Sequence, residues 1–103
     1  MLKDEQLTII GRRWFDKVNG NTYHSVEIYD QDGGIVSRVP FAYGYGNGYQ
    51  QTALDELIKI GIYPKLTDRA ELAEQWRDFH FSKESGGKGH FFSVSDVKRK
   101  RDL

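Results

Sequence analysis

The chain of 103 residues contains no cysteine, which excludes disulfides and thiolate metal sites. It has no run approaching the ~18 consecutive apolar residues of a membrane span. The first residues, Met1 to Gln6, are polar and lack the apolar region of a signal peptide. Neither sign of charge is in excess: fifteen basic residues balance fifteen acidic ones. That balance argues against wrapping nucleic acid by bulk electrostatics, and equally against mimicking DNA. There is no internal repeat and no sign of a second domain. The expectation is one domain over residues 1–97 with a basic tail at 98–103, in the reducing cytoplasm of a bacterial cell, without a membrane span.

What is present is aromatic and locally basic. Aromatic residues make up 14% of the chain, and many stand beside glycine or arginine. Arg12 and Arg13 form one basic spot, and Lys98, Arg99, Lys100 and Arg101 form another.

The spacing predicts a β-β-β-α-α-β order. Leu7 to Phe15 is rich in β-branched and aromatic residues and reads as a strand. Asn19-Gly20 supplies a hairpin turn. Thr22 to Asp30 comes next as a second strand, with His24, Val26 and Ile28 on one face and Tyr23, Ser25, Glu27 and Tyr29 on the other. Asp32-Gly33-Gly34 turns the chain again. Ile35 to Tyr43 is a third strand, with Ile35, Val39 and Phe41 sharing a face. Pro40 has no N–H to give a ladder, so this strand belongs at an edge or carries a bulge. Both turns are too short for a parallel crossover, so the three strands form an antiparallel meander.

Asn47 is read as the N-cap of a first helix that runs to Ile60 and stops at Gly61. Asp68 and Glu71 form a capping box for a second helix over 68–79, with an apolar stripe of Leu72, Ala73, Trp76 and Phe79. Residues 82–89 read as a loop, and residues 90–94 as a fourth strand. The fold class is α+β, a two-layer sandwich with a helix covering one face of the sheet.

The stretch Tyr43-Gly44-Tyr45-Gly46-Asn47-Gly48-Tyr49 raises the functional question. A glycine-rich turn ahead of a helix can cradle phosphate on free N–H groups. Here Gly48 is followed by Tyr49-Gln50, without the lysine and hydroxyl of a P-loop, and the preceding strands are antiparallel. Tyrosine set among glycine and asparagine is instead the composition of binding surfaces: rigid amphipathic anchors on adaptable backbone. On strand one, Arg12 and Trp14 share a face and Arg13 faces opposite. Arginine and tryptophan are favoured at interface hot spots.

Two resemblances bear on this. Val26-Glu27-Ile28 and Tyr43-Gly44-Tyr45-Gly46, leading into an Ala/Leu helix, resemble the C-terminal part of a double-stranded RNA-binding domain over residues 22–61. That family places lysines at the start of the final helix. This chain has Tyr49-Gln50-Gln51-Thr52 there, so RNA binding is not carried over. Gly11 to Phe15 and Asn19 to Val26 look like a block found in short phage and prophage proteins of unassigned function. That resemblance implies a mobile-element setting and an inhibitor of a host defence or host enzyme, of the anti-CRISPR kind.

Catalytic and metal sets are not indicated. His24, His80 and His90 do not pair at i, i+3 or i, i+4 spacing, and nothing resembles a nucleophile elbow. The expectation is a non-enzymatic module, without cofactor or metal, that inhibits a host protein by steric occlusion. Its contact residues are Arg12, Arg13, Trp14, Tyr43, Tyr45 and Tyr49. An exposed sheet edge gives a route to a homodimer. The alternatives are nucleic-acid binding through Arg12, Arg13, Lys88 and Lys98 to Arg101 with aromatic stacking, or a small-nucleotide sponge at Gly44 to Gly48.

Overall fold

The computed structural model describes residues 6–81, 87 and 89–103. Four strands and two helices run in the expected order: β1 (Thr8–Asp16), β2 (Asn21–Tyr29), β3 (Ile35–Tyr43), α1 (Gly48–Lys59), α2 (Arg69–His80) and β4 (Phe91–Val97). The fold is α+β. The sheet order is β3-β2-β1-β4. β1, β2 and β3 form the antiparallel meander, and β4 adds beside β1 in parallel. A parallel partner requires a long connection, which α1 and α2 supply. Among the described residues no helix is long and apolar enough to cross a membrane.

One face of the sheet carries the core. Leu7, just ahead of β1, and Ile9 of β1, with Val26 and Ile28 from β2, meet Tyr49, Ala53, Leu54 and Leu57 of α1, and Tyr63 and Phe79 complete the cluster. Alternation along β2 puts His24, Val26 and Ile28 on this side, as the period of two requires. Gly11 lets α1 approach. A Cβ there would lie 2.6 Å from Cδ2 of Tyr49, so the ring occupies space that only glycine leaves.

β3 departs from simple alternation. Val36 and Val39 pack against the core, whereas Ile35 and Phe41 are exposed. The expected common face of Ile35, Val39 and Phe41 is therefore broken. The register slips twice, once where Pro40 and Phe41 stand opposite Ser25, and once at Val36. Each bulge reverses the parity of the residues beyond it. Pro40 does lie on an edge strand and at a bulge.

The two helix starts differ. Asp68 adopts an extended conformation and accepts from the Glu71 amide at 3.0 Å. Asn47, expected to cap α1, makes no side-chain cap bond. Its φ of −93° and ψ of 16° are not the extended geometry that aims a cap oxygen at the first turn. The α1 start is closed by backbone instead: Gly48 N–H donates to Tyr45 and Gln50 N–H to Asn47.

α2 also turns differently from the expected stripe. Gln75 and Phe79 are buried, and Leu72 and Trp76 are exposed. Gln75 Nε2 donates to the Pro64 carbonyl at 2.7 Å, which draws the Gln75–Phe79 row inward and leaves the Leu72–Trp76 row to solvent.

Candidate functional site

The glycine-rich loop is pinned to the sheet by two side chains. His24 is buried, with Nδ1 3.1 Å from the Gly44 carbonyl and Nε2 2.6 Å from Thr52 Oγ1. A carbonyl can only accept, so Nδ1 carries the proton and donates, and the Thr52 hydroxyl donates to Nε2. Both ring nitrogens are spent, which suits a histidine that locks a loop rather than one that shuttles protons. The fit is close: a Cβ on Gly44, whose φ is 153°, would lie 3.0 Å from His24 Cε1. From β1, Arg13 Nη1 donates to the Gly46 carbonyl at 3.1 Å, and its Nε donates to Asp96 of β4 at 2.7 Å.

The loop carbonyls of Gly44, Tyr45, Gly46 and Asn47 are all taken up in this internal scheme. The Gly44 amide also goes to the Thr22 carbonyl. What it presents outward is Tyr45, 76% exposed. A cleft of about 330 Å³ lies beneath, lined by Arg13, Phe15, Thr22, Tyr45, Gly46, Asp96 and Val97.

The opposite face of the same sheet end is aromatic. Tyr23 of β2 stacks on Trp14 of β1 with centroids 5.9 Å apart and on Phe41 of β3 at 4.7 Å, and meets Tyr43 edge-on at 5.7 Å. These are favourable ring geometries. Tyr43 and Phe41 are nonetheless exposed, and Phe15, also exposed, stands on the cleft side with Arg13. Next to the open-face rings, Arg12 and Arg38 both pair with Glu27. The hydrogen bond from Arg12 holds the Glu27 carboxyl below its ordinary range.

Residues 98–103 cross this open face. Lys100 Nζ stands 5.0 Å above the Phe41 ring, within cation–π range. Arg38 Nη2 donates to the Leu103 carbonyl at 3.1 Å. The segment leaves β4 at one edge and reaches β3 at the other, closing in a short 3₁₀ turn over Lys100–Asp102. Lys98, Arg99, Lys100 and Arg101 are all exposed.

The expected contact residues therefore divide into groups. Arg12, Trp14 and Tyr43 lie on the open face, and Arg13 and Tyr45 lie at the loop cleft, at the same end of the sheet. Tyr49 is in the core, under Gly11, and does not join them. Lys88 lies outside the described residues. Phe15 belongs with the cleft, and Tyr23 and Phe41 with the aromatic group. Their signal was indirect, since Tyr23 reaches Phe41 only through the bulge that Pro40 imposes.

A second polar cluster had no local signal, because its members come from distant segments. The Leu7 amide donates to His90 Nδ1 at 2.9 Å. With Nδ1 accepting, Nε2 carries the proton and donates to Tyr63 Oη at 2.8 Å, and the Tyr63 hydroxyl donates on to Asp78 at 3.2 Å. Burial, and then the Asp78 charge, push the Tyr63 hydroxyl far above its usual range, so it stays a donor. This chain ties β1, the segment after α1, and α2 together. A cavity of about 360 Å³ opens beside it, with Glu71, Glu74 and Asp78 on its wall. Among the described residues no group of carboxylates and histidines is arranged to hold a metal ion.

No family model, no curated protein and no solved structure matches the chain, so the reading of this site rests on its own geometry.

Proposed function

We propose that the protein is a non-enzymatic binding module that engages another protein through the aromatic end of its sheet. The observation that carries this is the stacked group Trp14–Tyr23–Phe41–Tyr43 on the open face, with Phe41 and Tyr43 exposed, at the sheet end whose other side carries the exposed Phe15 and Tyr45 at the loop cleft. A monomer rarely leaves such an area open without use. The rings are held in place before any partner arrives: Tyr23 is clamped on three sides, and the Tyr45 loop is tied by His24 and Arg13. Preorganised aromatic anchors lose little entropy on binding. Arg12 borders the open-face rings and Arg13 the loop cleft, and they supply the polar rim. The partner is a protein of the bacterial host, and occupation of its working surface is the mode of inhibition. This last step rests on the resemblance to phage proteins. Affinity capture from bacterial lysate tests the reading. A stoichiometric protein is expected with the wild-type chain and its loss with Tyr45→Ala; retention of that protein by the variant refutes the assignment.

A second reading has one specific observation in its favour. The basic segment Lys98 to Arg101 lies across the aromatic face, with Lys100 above Phe41. Aromatic rings on an open sheet beside cationic side chains suit single-stranded nucleic acid, whose bases stack while its phosphates pair. Such binding weakens steeply with salt. A flat titration against single-stranded RNA and DNA at low salt removes this reading.

A further inference from the structure

The two edges of the sheet are not alike. β3 is guarded by Pro40 and by two register slips, devices that stop one edge from pairing with another. β4 has none of these. Its pairing with β1 is unbroken from Phe91 to Val97, it holds neither proline nor lysine, and among the described residues no strand pairs with its outer side.

The ladder fixes the direction of its free groups. The Phe91 amide donates inward to Leu7, so in a parallel pair the odd-numbered residues of β4 bond toward β1. Phe92, Val94 and Asp96 then present N–H and C=O outward.

We infer that β4 is a homodimer edge, pairing antiparallel with β4 of a second copy about a twofold axis at Val94. In that register the outward residues meet only outward residues. Val94 faces its own equivalent and Phe92 faces the partner subunit's Asp96. Each such pair exchanges two hydrogen bonds. On the open face Phe91 stands opposite the partner subunit's Val97, and Ser93 opposite the partner subunit's Ser95. Phe91 is 61% exposed in the single chain, and this register covers it at both ends of the interface. A contact in which one patch meets its own copy is what twofold symmetry requires. A second copy is favoured over an unrelated peptide because this register sets the apolar Phe91 and Val97 against each other twice and the small Ser93 against Ser95.

Sedimentation across a concentration series tests the inference with three forms of the full chain. Wild type is expected to dimerise. Ser93→Lys with Ser95→Lys sets like charges opposite each other at two symmetric places, and dimerisation should weaken by roughly tenfold. Ser93→Glu with Ser95→Lys makes the same places complementary and should restore the dimer. Both serines are exposed, and circular dichroism checks that each variant keeps its fold. A wild type that stays monomeric overturns the inference, as does a dimer indifferent to the lysine pair. Failure of the Glu/Lys variant to restore it overturns the Val94 register.

Discussion

Tyr23 and Phe41 stack with ring centroids 4.7 Å apart and an interplanar angle of 20°, although Phe41 and the neighbouring Pro40 share a single opposite residue, Ser25. The bulge is what turns Phe41 to the open face and so builds the aromatic platform. Its cost is visible at Ser25, which is fully buried and whose Oγ has no hydrogen-bond partner. A buried unsatisfied hydroxyl costs about 1–3 kcal/mol. Ser25→Ala should therefore raise stability, or at least not lower it, in a denaturant titration. A loss beyond ~1 kcal/mol would mean that the hydroxyl has an essential partner.

Gly11 should tolerate no side chain. The Tyr49 ring sits where its Cβ would be, and neither β1 nor α1 can retreat without opening the core. Gly11→Ala is expected to destabilise by about 1–3 kcal/mol, seen as a lower thermal midpoint. The loss should shrink when Tyr49→Ala is added, because the clash is then gone.

His24 and Thr52 should act as one unit. Thr52→Val leaves His24 Nε2 buried without its donor, at a cost of about 1–3 kcal/mol. Hydrogen exchange at the Gly44 amide should quicken with it, since that amide belongs to the pinned loop. Unchanged exchange would show that Arg13 alone holds the loop.

Acid should weaken the fold through two groups of opposite kind. His80 stacks on Phe92 and lies tilted against Trp76, and burial lowers its pKa below the ordinary 6.5. The unfolded chain then takes up the proton more readily, so stability falls as pH drops below that ordinary value. Glu27 has a lowered pKa because Arg12 donates to it, with ordinary value 4.5. Its contribution is complete above 4.5 and is lost as pH falls through the lowered folded value. His80→Phe should flatten the stability profile where pH falls through 6.5 and leave the steeper acid loss in place.

Much of this fold was legible in local signals. The meander came from Asn19-Gly20 and Asp32-Gly33-Gly34, and the end of α1 from Gly61, which does adopt a positive φ. What was not legible depends on contacts between distant segments. Asn47 carries the right side chain for a cap, but the loop is already closed through His24 and Arg13, and that geometry excludes the cap. Trp76 completes an apolar stripe by spacing, yet the bond from Gln75 to Pro64 rotates it outward. The parity of β3 could not be read past Pro40 without knowing that the bulge lay there. At the site, Tyr45 emerged as an exposed anchor, whereas Tyr49, which also follows a glycine, stands in the first turn of α1 and is buried against Gly11. No spacing rule links Tyr63, Asp78 and His90.

The central claim is that a protein docks on the aromatic end of the sheet, and the α2 surface offers the natural comparison because Trp76 is also exposed. A photo-crosslinking residue in place of Tyr45, and separately in place of Trp76, measures this directly in bacterial cells. The account predicts a single discrete protein adduct from position 45 and none from position 76. An adduct from position 76 alone, or cross-linking from position 45 only to nucleic acid, would contradict it.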